Sequence, residues 1–391
     1  MGATMPIPPR VLALLASALA ASLALLASGC GGGRTDDAYR IGVITSQTGA
    51  SSQLGLGELQ GAQLAADLVN ARGGIHGRRL ELVVADDLST PVQAVLAARR
   101  MIDNVDAVVG PSVASTCNAI TPLAQSSRTV QYCLSPGIKT APGGQVFSAS
   151  VSTTDLIRRT LASWQAKGIT RIGLLNSTDA SGQEGAASLR TAVAGRPGTQ
   201  LVAAATFEPG AVSVTSQLQA VTSANPQALV VWSTGAAAAV ALKAISQLGV
   251  DLPVATTNGN LTYAFLRRIA DYTPATLLIP ATRNFWSDGT DRSPPAAELE
   301  ATFHRDFQAR FGGQPDFGPG VAYDAVLLLA DALGRHPGDR TTLNETLERT
   351  TGFVGVVGTY RFRPDDHRGL GLDDVAMVRV AGGGFIAEQG R

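Results

Sequence analysis

Short apolar segments alternate with longer amphipathic segments along residues 39–257. The first pair shows the pattern: Tyr39 to Ile44 is largely apolar, whereas Gly57 to Asn70 repeats its apolar residues at intervals of three and four, as on one face of a helix. The alternation restarts after residue 150 with a helical segment from Thr154 to Lys167. Buried strands that alternate with helices are typical of parallel sheets covered on both faces. The pattern therefore predicts an α/β protein with two successive units.

The last third of the chain breaks this alternation. Two helical segments, Glu298 to Phe311 and Gly320 to Leu333, follow one another without an intervening strand. Two apolar segments near the C-terminus, Gly358 to Phe362 and Val375 to Val380, are predicted to pair as a hairpin. Between them lies Asp365-Asp366-His367-Arg368-Gly369, which could suggest acid–base chemistry. Its polarity and its glycine favour a solvated turn instead.

The N-terminus carries the pattern of an export signal. Arg10 precedes an apolar stretch from Val11 to Ala27, and two small residues lead from there to Cys30. A positive residue, an apolar stretch and small residues describe a secretory signal. A cysteine directly after the small residues resembles the bacterial lipobox, in which the thiol is lipidated and cleavage leaves this cysteine as the first mature residue. Ala27 departs mildly from the lipobox, which prefers leucine there.

This pattern predicts a lipoprotein signal peptide at residues 1–29 and a glycine-rich tether at residues 30–38. A plain signal peptide with an incidental cysteine and an uncleaved anchor helix are the alternatives. Lipidation of Cys30 would hold the protein at the outer face of the cell membrane or in the periplasm. Beyond the signal, no apolar run reaches about 18 residues, the length needed to span a bilayer. We therefore expect membrane attachment through the N-terminal lipid only.

Composition narrows the class of protein. Hydrophobic residues make up 45% of the chain and charged residues 16%, which is typical of a globular protein that can bury large cores. The 31 lysines and arginines balance 31 aspartates and glutamates. A chain without net charge gives no sign of the basic surface that nucleic acids or anionic membranes attract. We therefore expect no nucleic acid partner.

Two further cysteines, Cys117 and Cys133, form an even pair if Cys30 is lipidated. An exported location permits a disulfide between them and favours it. The alternative is a pair of free, buried thiols. Their spacing and the lack of a nearby histidine in the sequence argue against a zinc site.

The sequence gives little support to an enzyme. Its four histidines are scattered without metal-ligand spacing, and neither a Gly-x-Ser-x-Gly elbow nor a P-loop occurs. The glycines from Gly55 to Gly61 miss the dinucleotide-binding spacing by one residue. We therefore expect no catalytic residue, no cofactor and no metal.

Several short motifs point to one known family. They are Ile41-Gly42-Val43, Gly61-Ala62, Asn70-Ala71-Arg72-Gly73-Gly74-Ile75-His76-Gly77-Arg78, Asp86-Asp87, Val108-Val109-Gly110-Pro111, Ser135-Pro136-Gly137 and Tyr323-Asp324-Ala325. Together they resemble the branched-chain-amino-acid (Leu/Ile/Val-binding) type of periplasmic binding protein, the solute receptor of an ABC importer. The resemblance covers nearly all of residues 39–391, and the long motif Asn-Ala-x-Gly-Gly-Ile-x-Gly is fairly specific to that family.

The resemblance implies a type I fold, with two doubly wound parallel-sheet lobes joined by three hinge crossings. It also explains why the last helices precede strands, because the chain would return to lobe one and then to lobe two. The implied crossings lie near residues 150–152, 278–281 and 352–358. The implied lobes are residues 39–150 plus 282–353 for lobe one, and residues 151–281 plus 354–391 for lobe two.

Ligands of open α/β sheets bind beyond the carboxyl ends of the strands. Two such ends in lobe one, Gly110–Thr116 and Ser135–Lys139, are polar. The hydroxyl groups of the first segment and the free N–H groups of the helix that begins there suit a carboxylate or a carbonyl group. For the second segment, the resemblance implies that the residues after Ser135-Pro136 contact the head group of the ligand. Ser115 or Thr116 could instead serve only as a helix N-cap, and Lys139 could be a solvated surface residue. The contacts that the loops and the resemblance imply are Gln47, Leu54, Ala114, Ser115, Thr116, Ser135, Gly137, Ile138, Lys139, Ser181, Thr234 and Asn258.

The resemblance also bears on the ligand. Amino-acid binders of this family present an acidic side chain to the ligand ammonium at the position that Asn258 occupies here, and an amide cannot neutralise an ammonium group. Leu54, Ser181 and Thr234 stand where the family has aromatic contacts. An amide, a carboxylic acid or another small polar metabolite is therefore favoured over a free branched-chain amino acid.

The leading functional hypothesis is a lipid-tethered solute-binding protein that acts as a monomer. Its lobes would close on one small molecule, and the closed form would dock on the permease of an ABC importer. The alternative is a sensor, in which the same clamp reports its ligand to a signalling partner. An exported enzyme on this fold is a third hypothesis, which no sequence feature favours.

Overall fold

The computed structural model describes residues 38–285, 293–335 and 342–388. The predicted signal peptide, Cys30 and the tether up to residue 37 lie outside the described residues. Residues 38–148 form the first unit, a five-stranded sheet with the order β2-β1-β3-β4-β5. Its elements are β1 (Ala38–Thr45), α1 (Ser52–Ala71), β2 (Arg79–Asp86), α2 (Pro91–Met101), β3 (Ala107–Val109), α3 (Ala114–Ser127), β4 (Val130–Cys133) and β5 (Val146–Ser148).

The second unit repeats this winding. Its sheet has the order β14-β13-β10-β9-β8-β6-β7, in which the five strands from β6 to β10 are parallel. The elements up to β10 are α4 (Thr153–Gln165), β6 (Arg171–Ser177), α5 (Ala180–Ala194), β7 (Gln200–Phe207), α6 (Thr215–Thr222), β8 (Ala228–Trp232), α7 (Ala236–Gln247), β9 (Val254–Thr256), α8 (Tyr263–Ile269) and β10 (Leu277–Ala281). The central strands β8, β9 and β10 are buried along their whole length, as expected for strands covered by helices on both faces.

The C-terminal part of the chain adds to both units. Its elements are α9 (Pro294–Phe311), α10 (Phe317–Arg335), α11 (Leu343–Glu348), β11 (Thr351–Val354), β12 (Thr359–Arg361), β13 (Ala376–Ala381) and β14 (Gly384–Ala387). Helix α10 packs on α1 of the first unit, where a Cβ at Gly61 would stand 2.1 Å from the Pro319 carbonyl oxygen. Glycine at that position therefore permits the close approach of the two helices.

We name the five-stranded sheet with α1–α3 and α9–α11 lobe one, and the seven-stranded sheet with α4–α8 lobe two. The chain passes from the first sheet to the second after β5, leaves the second after β10, and returns to it at β13. The predicted class, two doubly wound α/β lobes joined by three crossings, is thus confirmed. The residue boundaries that the resemblance implies for the lobes remain predictions.

The predicted pairing of the last two apolar segments is wrong. Strand β12 pairs antiparallel with β11, whereas β13 pairs with β10 and with β14. The physical reason is that β10 is the last parallel strand of its sheet and offers a free edge. Strand β13 occupies it with Met377 opposite Pro280, and β14 then closes a hairpin onto β13.

The interpretation of Asp365–Gly369 as a solvated turn holds for Asp365, which is exposed in a turn, but is wrong for the residues from His367 on. His367 is 1% exposed and Arg368 is 8% exposed. The His367 ring stacks on Phe147 with 4.1 Å between the ring centroids, and its two nitrogens contact the Val146 carbonyl oxygen and the Glu348 carboxylate. His367 and Arg368 are buried because acceptor groups inside the protein form hydrogen bonds with both side chains. These hydrogen bonds offset the cost of desolvation.

Among the described residues, one helix is long and apolar enough to cross a membrane by length and composition. It is Phe317–Arg335, and 83% of its apolar window is buried inside the protein. That degree of burial is typical of a core helix in a globular domain.

Candidate functional site

A cavity of about 250 Å³ lies between the two lobes, at the carboxyl ends of strands from both sheets. The N-terminal ends of five helices, α1, α3, α5, α7 and α10, reach its wall. It is lined by Ala50, Ser51, Leu54, Ser89, Ser112, Val113, Ala114, Ser115, Ser135, Pro136, Asp179, Ala180, Ser181, Pro209, Thr234, Ala236, Ala237, Thr257, Gly259 and Phe317. Free N–H groups at helix starts favour a negatively charged or carbonyl-bearing ligand.

The lobes meet on both sides of this cavity. On one side, Gly137 of lobe one lies against Ser181 of lobe two, so that a Cβ at Gly137 would stand 3.5 Å from Ser181 Cα. On the other side, the Phe317 amide donates to the Leu261 carbonyl oxygen at 3.0 Å, and the Tyr263 amide donates to the Asp316 carboxylate at 3.1 Å. The cleft is therefore closed around the cavity.

The loop after β3 forms one wall. It begins at Gly110, whose φ is +102° and where a Cβ would stand 1.9 Å from the Ile44 carbonyl oxygen, so glycine is required there. Ser112 accepts a hydrogen bond from the Ser46 amide at 2.9 Å and is hydrogen-bonded to the Glu58 carboxyl group. This loop thus presents a hydroxyl group to the cavity with a buried acid directly behind it.

The loop after β4 is anchored from three directions. Its backbone carbonyl groups at Pro136 and Ile138 accept hydrogen bonds from the buried Arg368 guanidinium group, and the Thr153 hydroxyl donates to Pro136 at 3.3 Å. A disulfide joins Cys117 to Cys133, with 6.1 Å between their Cα atoms. The predicted bridge is therefore confirmed, and it links the first turn of α3 to the end of β4.

Asp179 and Asn260 organise the lobe-two wall. The Asp179 carboxylate caps α5 by accepting hydrogen bonds from the Gly182 amide at 2.8 Å and the Ser177 hydroxyl at 3.0 Å. The Asn260 side chain accepts from the Gly235 amide at 2.8 Å and donates to the Ser233 carbonyl oxygen at 2.9 Å. These bonds fix the starts of α5 and α7 at the cavity.

Six of the twelve predicted ligand contacts line the cavity, and six do not. Whether any of them binds a ligand remains a prediction. Those in the wall are Leu54, Ala114, Ser115, Ser135, Ser181 and Thr234. Those outside it are Gln47, Thr116, Gly137, Ile138, Lys139 and Asn258.

Most of the residues outside the wall have another local role. The Thr116 hydroxyl donates to the Val113 carbonyl oxygen at 3.0 Å, Ile138 packs in the apolar cluster around the disulfide, and Gln47 bonds through its amide to Asp86. Lys139 is exposed and lies 3.7 Å from Glu184 of lobe two. Asn258 is fully buried next to the lining residue Thr257.

Sequence reasoning missed several lining residues, of which Ser112 and Asp179 matter most chemically. Asp179 is the one carboxylate among the described lining residues, and none of these is a lysine or an arginine. It follows β6 by two residues, so the strand-end rule could have identified it in lobe two. Ser112 lies inside the segment Gly110–Thr116 that the sequence already marks as polar.

Nothing in the described ranges suggests a metal centre, since no group of three or more histidine, cysteine, aspartate or glutamate side chains is arranged to hold an ion. The chemistry available at the cavity is hydrogen bonding by serine and threonine hydroxyls and by helix N–H groups. Such a site can bind a small polar molecule.

Comparison with known proteins agrees with this geometry. A family model described as periplasmic binding protein matches residues 38–384. An amino acid binding protein of Pseudomonas aeruginosa is 44% identical over 68 residues, which are 17% of this chain and 18% of that relative. The aligned part thus spans less than a fifth of the relative's length.

Solved structures match over far more of the chain. A type 1 periplasmic binding protein from Bordetella pertussis is 25% identical, with a TM-score of 0.79, and the match covers 90% of this chain and 100% of that one. The branched-chain amino acid transporter substrate binding protein LivJ from Streptococcus pneumoniae, in complex with isoleucine, is 22% identical with a TM-score of 0.74 over the same shares. The family comprises exported solute-binding proteins, which are not enzymes, so the expectation of a non-enzyme is confirmed. This chain belongs to the periplasmic binding protein family, because the family model matches residues 38–384 and the chain has the two-lobed fold with a cavity between the lobes.

Proposed function

We propose that this chain is the lipid-anchored solute-binding protein of an ABC importer and captures a small polar metabolite of the amino-acid, amide or carboxylic acid class. The observation that carries the proposal is the closed cavity between the lobes, which both lobes line with hydroxyl groups and helix N-termini. Its volume of about 250 Å³ lies at the small end of ligand pockets. A ligand held by both lobes stabilises the closed form, because it makes its full set of contacts only there.

The composition of the wall supports a ligand with a carboxylate or carbonyl group on the lobe-one side. Ser112, Ser115 and Ser135 offer hydroxyl groups there, next to the start of α3 at Ala114. On the lobe-two side, the Asp179 carboxylate suits a donor such as an amide N–H or an ammonium group. A molecule that carries an acceptor at one end and a donor at the other matches both walls.

The similar proteins support the amino-acid class, since one is named an amino acid binding protein and another is solved with isoleucine. The wall described here contains one aromatic ring, that of Phe317, and it is otherwise rich in alanine, serine and threonine. Asn258 stands where the family resemblance places an acid. We therefore favour a smaller or more polar ligand than a branched-chain amino acid.

Export and anchoring rest on the N-terminal sequence. The apolar stretch, the small residues and Cys30 resemble a lipobox, and the tether that follows is glycine-rich. A receptor held at the membrane surface can deliver its ligand to a permease in the same membrane. Docking on that permease is the step that makes the protein part of an importer rather than a free scavenger.

The proposal is tested by native mass spectrometry of the protein purified without denaturation, followed by calorimetric titration with the twenty amino acids, their amides and short carboxylic acids. We expect one of these classes to bind, and Ser115→Ala to weaken that binding about tenfold or more, the value of one hydrogen bond to a charged group. Ser126→Ala, on the exposed face of the same helix, is the matched control. Tight binding of leucine or valine would overturn the ligand preference. Failure of every class would overturn the ligand assignment.

Transport is tested separately. Cells that lack this protein should lose uptake of the radiolabelled compound that binds, and the wild-type gene should restore it. Unchanged uptake, together with a ligand-dependent change in the phosphorylation of a membrane kinase, would instead support the sensor.

A further inference from the structure

Ser112 joins the cavity wall to a buried acid. Its hydroxyl group is hydrogen-bonded to Glu58, and its oxygen accepts a hydrogen bond from the Ser46 amide at 2.9 Å. Glu58 is fully buried on α1, and its Oε1 atom has no hydrogen-bond partner among the described residues. Helix α10 closes over it, because a Cβ at Gly318 would stand 3.3 Å from Glu58 Cγ.

The titratable groups that face Glu58 from the surrounding elements are acids. Asp87 follows β2 and accepts a hydrogen bond from the Ser46 hydroxyl at 2.7 Å, while Asp316 precedes α10 and is itself faced by Arg267. Burial raises the pKa of Glu58 to about 8, and repulsion from Asp87 and Asp316 adds to the shift, whereas the Ser112 hydrogen bond opposes it. Burial also raises the pKa of Asp87, and that of Asp316 to about 7. At neutral pH the folded protein therefore holds a proton on Glu58.

The position of that proton decides what Ser112 offers to the cavity. A hydroxyl group has one donor and two acceptor sites, and one acceptor site is taken by the Ser46 amide. When Glu58 is ionised it can only accept a hydrogen bond. The Ser112 hydroxyl then donates its hydrogen to Glu58 and presents a lone pair to the cavity. When Glu58 is protonated it can donate, so both acceptor sites of Ser112 are filled and its hydrogen is free to point at a ligand.

We propose that Glu58 is a specificity-determining residue of the cavity: its proton makes Ser112 a donor toward a bound carboxylate, and loss of that proton makes Ser112 an acceptor. Glu58 does not touch the ligand and acts through Ser112. The ligand half of this inference rests on the proposed function, whereas the protonation of Glu58 can be measured without any ligand. Its two tests can therefore fail independently of one another.

The first test uses the protein without ligand. Infrared difference spectra of wild type against Glu58→Gln should show the carbonyl band of a protonated carboxyl group at pH 7, and this band should vanish in wild type with a midpoint near pH 8. Ser112→Ala removes the acceptor and should shift the band without abolishing it. A band that is missing at pH 7, or that Ser112→Ala leaves unmoved, overturns the proposal whether or not any amino acid binds.

The second test measures the dissociation constants of L-glutamine and L-isoleucine between pH 7 and pH 9.5. In wild type we expect the constant of whichever probe binds to rise by about tenfold or more over this range, the loss of one donor to a carboxylate. The constant of Glu58→Gln should rise less over this range, since the amide donates to Ser112 at every pH and only the probe and Asp316, whose pKa burial raises to about 7, still titrate. Glu81→Gln, an exposed glutamate on β2, should keep the wild-type slope. Equal slopes in wild type and Glu58→Gln would overturn the proposal, whereas failure of both probes to bind counts against the proposed ligand class and leaves the infrared result decisive.

Discussion

Replacement of the buried Arg368 gives the sharpest test of how the cavity loop is held in place. Its guanidinium group donates to the Ser150 and Pro136 carbonyl oxygens at 3.0 Å each, to the Ser148 hydroxyl at 3.1 Å, and to the Ile138 carbonyl oxygen. Burial lowers the pKa of Arg368 to about 10, so the side chain keeps its charge at neutral pH. One cation thus ties the loop after β4 to the crossing that follows β5.

The magnitude follows from the four acceptors. A hydrogen bond from a charged donor contributes about 1.5–3 kcal/mol, and a buried carbonyl left without a donor costs about 1–3 kcal/mol. These terms overlap, and removal of one partner from a buried charged network typically costs about 3–5 kcal/mol in all. We therefore expect Arg368→Met, which keeps the apolar stem, to lower the free energy of unfolding by about 4 kcal/mol. Arg368→Lys keeps the charge but lacks the several N–H donors of the planar guanidinium group. We expect it to lower the free energy of unfolding by about half as much.

The assay is urea denaturation, combined with hydrogen exchange of the amides in the loop after β4. Arg363→Met is the matched control, because Arg363 lies in the same C-terminal segment with its side chain 65% exposed. We expect the control to change the free energy of unfolding by less than about 0.5 kcal/mol. Equal effects of Arg363→Met and Arg368→Met, or unchanged amide exchange at residues 137–139 in Arg368→Met, would refute the reasoning.

Three further predictions concern the bridge, the anchor and the buried acids. Maleimide should label neither Cys117 nor Cys133 in denaturant without reductant, and two labelled thiols would contradict the bridge. Replacing both cysteines by serine should lower the free energy of unfolding by about 3 kcal/mol, the chain-entropy value for a loop of this length. Cys30→Ser should abolish incorporation of labelled palmitate and move the protein from the membrane to the soluble fraction, whereas unchanged fractionation would exclude the lipid as the anchor. Because the pKa of Glu58 is raised from 4.5 to about 8, the folded protein binds more protons than the unfolded chain between these pH values. The stability from this group is complete below pH 4.5 and is lost as the pH rises to 8, by up to about 1.4 kcal/mol per unit, so urea midpoints should fall less steeply in Glu58→Gln.

The sequence predicts most of the architecture because each strand and helix is encoded locally. Short, largely apolar runs such as Tyr39 to Ile44 favour the interior of a parallel sheet, and the structure puts β1 there. The pairing of the last strands is not local in this sense. Which edge β13 joins depends on β10, whose neighbouring position in the sheet is left vacant by the rest of the fold.

Burial of the polar segment around Arg368 is the failure with the clearest cause. Its acceptors are contributed by residues 136–150, which lie 218 to 232 positions earlier in the chain. Residues 365–369 by themselves contain only charged residues and a glycine. Short segments of this composition most often form solvated turns. A charged side chain is buried where hydrogen-bonding partners compensate for its desolvation. The sequence of residues 365–369 does not indicate that such partners exist elsewhere in the chain.

The acid in the lobe-two wall does not lie at the position that the family resemblance indicates. The resemblance directs attention to Asn258 as the place of the missing counter-ion, yet this side chain is buried beside the wall and the acid of lobe two lies in the wall at Asp179. Parallel strands deliver their carboxyl ends to one edge, so a charge that follows β6 can face the same cavity as one that follows β9. The loss of an acid at one strand end therefore does not exclude an ammonium group on the ligand. What the wall does constrain is size and shape, because alanines, serines and a single aromatic ring surround about 250 Å³ of space.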